Sequence, residues 1–213
     1  MKRALAICAA AGGAVALAFF AARHWPAKES LLEPAHPEQS RAATPMAGCL
    51  PTGDGFLRAR LDGALDLKLD WKNDGTQCEG MPRPDNNGVR VTFSREIDAG
   101  QRRLVIVFGI AGLSESSSGH GLPANVTIIE EGLARIYSTQ GDDKCTLDDV
   151  KQQLITPWRK ESRTYRVSGR GFCIQPARAV GGDATVLMST FDFVGQVIYT
   201  GTDTSPQAIT HTT

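Results

Sequence analysis

The chain has 213 residues, with 23 basic against 23 acidic side chains. From Cys49 onward 18 basic residues stand against 20 acidic ones. A domain without a basic excess is not built to hold a nucleic-acid backbone. The length suits one folded domain with a core of its own.

Lys2 and Arg3 precede an uncharged apolar run of 19 residues, 4–22. A basic start followed by an apolar stretch marks a segment for export. It reads as a cleaved signal peptide, with Ala16-Leu17-Ala18 as the small-residue site, or as an N-terminal membrane anchor. In both cases the leading charges keep the N-terminus on the cytoplasmic side and send the rest across. The expected location is the periplasm, free or anchored to the inner membrane, with secretion as the alternative. Residues 23–48 carry Pro26, Pro34, Pro37 and Pro45 in a polar, aperiodic context, the composition of a flexible linker.

Residues 49–200 form the expected domain. Between 57 and 71 the odd positions are apolar or small and the even ones mostly charged, the period of an amphipathic strand pair. Asp62-Gly63 offers a turn between them. Residues 72–87 read as a loop, rich in Asn, Gly and Pro. Val89, Val91 and Phe93 alternate with polar residues as the next strand. Asp98-Ala99-Gly100 turns the chain into residues 102–112, where both parities are apolar, as in a strand covered on both sides. Residues 125–131 and 133–139 flank a hairpin at Glu131-Gly132. In residues 146–155, Leu147, Val150 and Leu154 share one helical face, and Thr146 and Asp149 have capping spacing, so one short helix is expected. Residues 163–174 and 184–200 read as strands, the last one breaking in two at Gly195. Residues 201–213 read as a flexible tail.

This pattern predicts an all-β, mainly antiparallel fold: a jelly-roll-like β-sandwich with one short helix. A lipocalin-like flattened barrel is the alternative. Cys49, Cys78, Cys145 and Cys173 make an even count in an exported domain, which predicts two disulfides. Of the three pairings, Cys49–Cys78 and Cys145–Cys173 join sequential cysteines and are the ones expected.

Residues 113–123 form a Gly- and Ser-rich loop with Ser114, Glu115, Ser116 and His120 as candidate ligand-contacting residues. Gly112-Leu113-Ser114-Glu115-Ser116 approaches the hydrolase elbow Gly-x-Ser-x-Gly but lacks its last glycine and the following helix. A Ser–His pair oriented by Glu115 is the enzymatic alternative. Asp142, Asp143, Asp148 and Asp149 crowd around Cys145, a carboxylate density that suits calcium. Their other reading is the capping of a helix N-terminus. No other cofactor is indicated. Trp158, Arg159, Lys160, Arg163, Tyr165, Arg166 and Arg170 make a basic stretch that could meet an anionic lipid or glycan. Trp71, Tyr137 and Tyr199 could stack on sugars but sit at in-phase strand positions.

Cys78-Glu79-Gly80-Met81-Pro82-Arg83-Pro84 and Arg135-Ile136-Tyr137-Ser138 resemble segments of uncharacterised exported proteins of Gram-negative bacteria. That resemblance spans much of residues 49–200. It implies an envelope location and carries no catalytic residue across. The expected function is an envelope binding module, catalytic residues none, meeting a ligand, an envelope protein or a glycan. The alternatives are a periplasmic hydrolase using the Ser/His loop and a calcium- or glycan-binding module. The membrane enters as a partner where the N-terminal segment stays uncleaved.

Overall fold

Alternation carries most of this fold. The computed structural model describes residues 48–155 and 162–201. The expectations for the export segment, for the linker up to residue 47 and for the tail from residue 202 lie outside the described residues. Among the described residues no helix is long and apolar enough to cross a membrane.

The strands in chain order are β1 (Phe56–Gly63), β2 (Leu67–Lys72), β3 (Gln77–Pro82), β4 (Val89–Ile97), β5 (Arg102–Ile110), β6 (Leu122–Glu131), β7 (Arg135–Ser138), β8 (Cys145–Leu154), β9 (Ser162–Cys173), β10 (Ala177–Ala179) and β11 (Thr185–Thr200). All named strands pair antiparallel, so the fold is all-β. One layer runs β2-β1-β11-β9-β8 and the other β3-β4-β5-β6-β7. At one side β6 pairs β8, and β10 bridges β7 to β11, so hydrogen bonding continues from one layer into the other.

The layers meet over four phenylalanines. Phe93 and Phe108 come from β4 and β5, Phe191 and Phe193 from β11. Phe108 stacks on Phe193 with ring centroids 4.9 Å apart, and Phe93 lies 5.5 Å from Phe193. β9 makes room for these rings with glycine. Gly169 and Gly171 stand directly opposite Phe193 and Phe191. A Cβ on Gly169 would come within 2.8 Å of the Phe193 ring, and one on Gly171 within 2.9 Å of the Phe191 ring. The space between the layers is therefore filled by aromatic rings.

Several local expectations change. The helix expected over residues 146–155 is strand β8. Leu147 pairs Gly171 but Asp149 pairs Arg170, so Asp148 is an extra residue in a β-bulge. The bulge lets Leu147 and Val150 both point inward three residues apart. That spacing mimics a helix face, and Leu154 is exposed.

The loop expected over residues 72–87 contains β3. Its inward positions are Cys78 and Gly80. Gly80 stays bare because a Cβ there would come within 2.8 Å of Val197, so no apolar alternation marks the strand. β11 is one continuous strand, with Gly195 in its middle packed against Phe93. β1 runs through Asp62-Gly63, and the turn falls at residues 64–66.

Both disulfides form with the expected pairing, Cys49–Cys78 and Cys145–Cys173. Two disulfides are the mark of an oxidising, extracytoplasmic compartment. The second joins residues that already face each other in the β8–β9 ladder. The first ties the domain entry to β3. There Asn73, nearly buried, accepts hydrogen bonds from the Leu50 and Gly55 amides at 2.8 and 3.2 Å and holds residues 48–55 in place.

Candidate functional site

The loop between β5 and β6 is built into the fold. Gly119 exchanges backbone hydrogen bonds with Val150 of β8 at 3.0 and 2.9 Å. The Gln152 amide donates to the carbonyls of Ser114 and Ser117. Glu115 receives a bidentate hydrogen bond from Arg163, whose side chain is buried. Ser116 and Tyr165 share a hydroxyl–hydroxyl hydrogen bond of 2.6 Å. Tyr199 donates to Gln152 at 2.9 Å, and burial pushes its phenol above the ordinary tyrosine range.

The loop therefore covers the outer edge of β8, an edge that would otherwise be open to pairing. Its polar residues separate into distinct jobs. Ser116 faces Tyr165, Glu115 faces Arg163, and the His120 Nδ1 lies 3.3 Å from an Asp149 oxygen. Glu115 serves Arg163 instead of orienting His120.

The Arg163 guanidinium holds the Glu115 carboxyl below the ordinary glutamate range, against the opposing effect of burial. A depressed carboxyl contributes stability that is complete above its unfolded value, near 4.5. The contribution is lost as pH falls through the folded value. Glu115→Gln should therefore lower stability at neutral pH by about 1.5–3 kcal/mol, the worth of a charge-assisted hydrogen bond. The gap between variant and native protein should close as pH falls below the ordinary glutamate range. Melting curves of both proteins from pH 7 to pH 3 check this, and a gap independent of pH would contradict it.

The four aspartates expected near Cys145 take separate partners. Asp142 accepts from Arg83 and Asn125, Asp143 pairs Lys144, and Asp149 faces His120 and Lys151. Asp148 is the bulge residue. Among the described residues no group of three or more His, Cys, Asp or Glu side chains is placed to hold a metal ion. The capping role expected for Asp149 falls with the helix. In the basic stretch, Trp158, Arg159 and Lys160 lie outside the described residues. Arg163 is internal, Arg166 pairs Asp54 at 2.9 Å, and Arg170 is exposed. Trp71, Tyr137 and Tyr199 are buried core residues.

A different surface comes together on the outside of the β2-β1-β11-β9-β8 layer. Asp70, Arg58, Asp192, Arg170 and Asp149 are successive cross-strand partners, one from each strand. Acid and base alternate along this row. Arg58 lies 3.3 Å from Asp70 and 3.7 Å from Asp192, and its guanidinium sits over the Phe56 ring at 4.4 Å. Among the described residues Arg170 makes no ion pair within 4.0 Å. Two shallow hollows meet at Asp192. One, of about 570 Å³, runs over Arg58, Lys68, Asp70 and Thr190. The other, of about 330 Å³, runs over Asp149, Lys151, Ser168 and Arg170.

With four strand spacings of about 4.8 Å, the row is about 19 Å long. His120 and Asp149 stand at its β8 end. The opposite layer also carries a hollow, around Arg103, but that guanidinium is already engaged by Gln77, Ser94 and Glu131. Sequence reasoning registered the alternation in residues 57–71 only as a wet face. The row depends on the register of five strands, three of them from the far end of the chain. No family model, no curated protein and no solved structure matches the chain.

Proposed function

We propose that this chain is an exported, non-catalytic binding protein of the periplasm, held free or by its N-terminal segment, and that it takes a charged envelope glycan along the Asp70–Asp149 row. The observation that carries the reading is the row itself. It offers cations and anions at regular strand spacing, with the hydroxyls of Thr190 and Ser168 beside them. A ligand carrying both signs of charge meets complementary groups on such a face, and the pattern favours specificity and register over raw affinity. The aromatic filling between the layers supports a surface ligand rather than one enclosed in a barrel. The hydrolase alternative lacks support in the loop, where Ser116 is engaged by Tyr165 and Glu115 by Arg163. The resemblance to exported Gram-negative proteins and the two disulfides support the location.

The test is binding of peptidoglycan fragments, whose peptide stems carry ammonium and carboxylate groups, alongside lipopolysaccharide core oligosaccharides. The protein should gain thermal stability with at least one of these, and Arg58→Ala/Arg170→Ala should abolish the gain at unchanged fold. If neither class of glycan shifts the melting temperature, or if the double variant responds like the native protein, the reading fails.

A further inference from the structure

A two-layer sandwich of open sheets has four outer edges, and among the described residues three of them here are covered. The β3 edge lies against β11, where the Gln196 amide donates to the Cys78 carbonyl at 3.1 Å. The β7 edge is continued by β10 into β11. The β8 edge is covered by the loop through Gly119 and by Gln152. β2 and β3 each pair on one side alone, but β3 lies against β11, whereas among the described residues β2 pairs only β1. The six residues of β2 leave backbone N–H and C=O groups directed away from the sheet.

The side chains of β2 add a second, independent observation. Leu69 and Trp71 face the core, with Leu67 half-buried on the same side, and Lys68, Asp70 and Lys72 face out. Lys68 stands opposite Arg60 of β1, a like charge, and among the described residues it has no acidic partner. Arg60 itself is engaged by Asp62 and Asp66.

We propose that the β2 edge pairs with the β2 edge of a second copy of this chain, antiparallel about a two-fold axis at Leu69. Directly opposed residues lie on the same face of a sheet, so only registers of matching parity keep the apolar side chains on the core side. Four such registers pair three or more residues within the strand. Centring on Lys68 sets Lys68 against itself. Centring on Asp70 sets Asp70 against itself and Lys68 against Lys72. Centring on Leu69 sets Lys68 opposite Asp70 of the second copy, twice by symmetry, with Leu67 opposite Trp71. Centring on Trp71 also sets Asp70 opposite Lys72 but pairs only residues 70–72, so the Leu69 register, which pairs 67–71, is the longest in which opposite charges face each other. The same step continues the acid–base alternation, because Lys68 of the second copy follows Asp70, Arg58, Asp192, Arg170 and Asp149. The exposed charges select the register, while backbone hydrogen bonds and the joined apolar face hold it. The inference rests on the strand edges and stands apart from the glycan reading.

Sedimentation equilibrium of the full chain in mild detergent tests it, without ligand and over a dilution series into the tens of micromolar. The native protein should reach a dimer mass. Lys68→Asp sets a carboxylate against Asp70 of the second copy, and Asp70→Lys sets two ammonium groups together. Each single change should weaken the dimer about tenfold or more, and the double exchange Lys68→Asp/Asp70→Lys should restore it. Lys68→Asp also places an acid opposite Arg60 within its own sheet, so a folding defect does not explain its loss of dimer. Unchanged melting temperatures provide the control. A monomer throughout the series overturns the proposal. So does a dimer that ignores both single changes, or one that the double exchange fails to restore.

Discussion

Phe193→Ala is expected to lower the unfolding free energy by about 3–5 kcal/mol, measured by urea denaturation, placing it among the most damaging single changes in the domain. The ring is fully buried and touches the aromatic groups of both layers. Its truncation removes apolar burial and also leaves a cavity. The strand beside it offers no side chain to relax into that cavity, because the residue opposite is Gly169. The effect therefore belongs at the upper end of the range. The same geometry sets a second result. Gly169→Ala alone should destabilise, since its methyl would meet the Phe193 ring and Leu147. Introduced together with Phe193→Ala, it should recover part of the loss. Coupling of this sign between neighbours is what a double-mutant cycle reads. Simple additivity of the two changes would mean that the ring does not occupy the space the glycine leaves.

Cys49→Ser/Cys78→Ser should cost about 3.5 kcal/mol in the chain-entropy account of a cross-link closing a loop of this size. The sequence separation is 29, almost the same as the 28 of Cys145–Cys173, so loop closure predicts nearly equal losses for the two disulfides. Local consequences should differ. Cys145 and Cys173 remain paired through the β8–β9 ladder when their bond is removed. Residues 48–55 belong to no strand before Phe56 and are held by the disulfide and the Asn73 hydrogen bonds. Hydrogen exchange should therefore rise sharply at the Leu50 and Gly55 amides in the first variant and stay near native in the second. Equal exchange in both variants would place the hold on the entry segment with Asn73 alone.

Strands with one clean apolar face were legible in the residues. The alternation of residues 57–71 marks β1 and β2, and the doubly apolar run marks β5 as an interior strand. The two disulfide pairings followed from sequential spacing. β8 was misread because a bulge shifts side-chain phase by one residue and turns a strand pattern into a helical one. β3 was missed because a close neighbour requires glycine where an apolar residue would signal a strand. The serine loop looked like a place for chemistry because exposed Ser, Glu and His are what a site would use. Its partners Arg163, Tyr165 and Gln152 lie about 35–50 residues away.

The residue order by itself determined the all-β class, the position of the interior strand and the cross-links, because each depends on local period or on counting. The tertiary structure decided which loop residues are consumed by the scaffold, which strand edge stays open and which charges line up. Asp70 and Arg58 are near in sequence, but Asp192, Arg170 and Asp149 join them only through the register of β11, β9 and β8. Register is set by long-range pairing, in which a shift of one residue would exchange the charged face for the phenylalanine face, and that information is carried by the whole core rather than by any one segment.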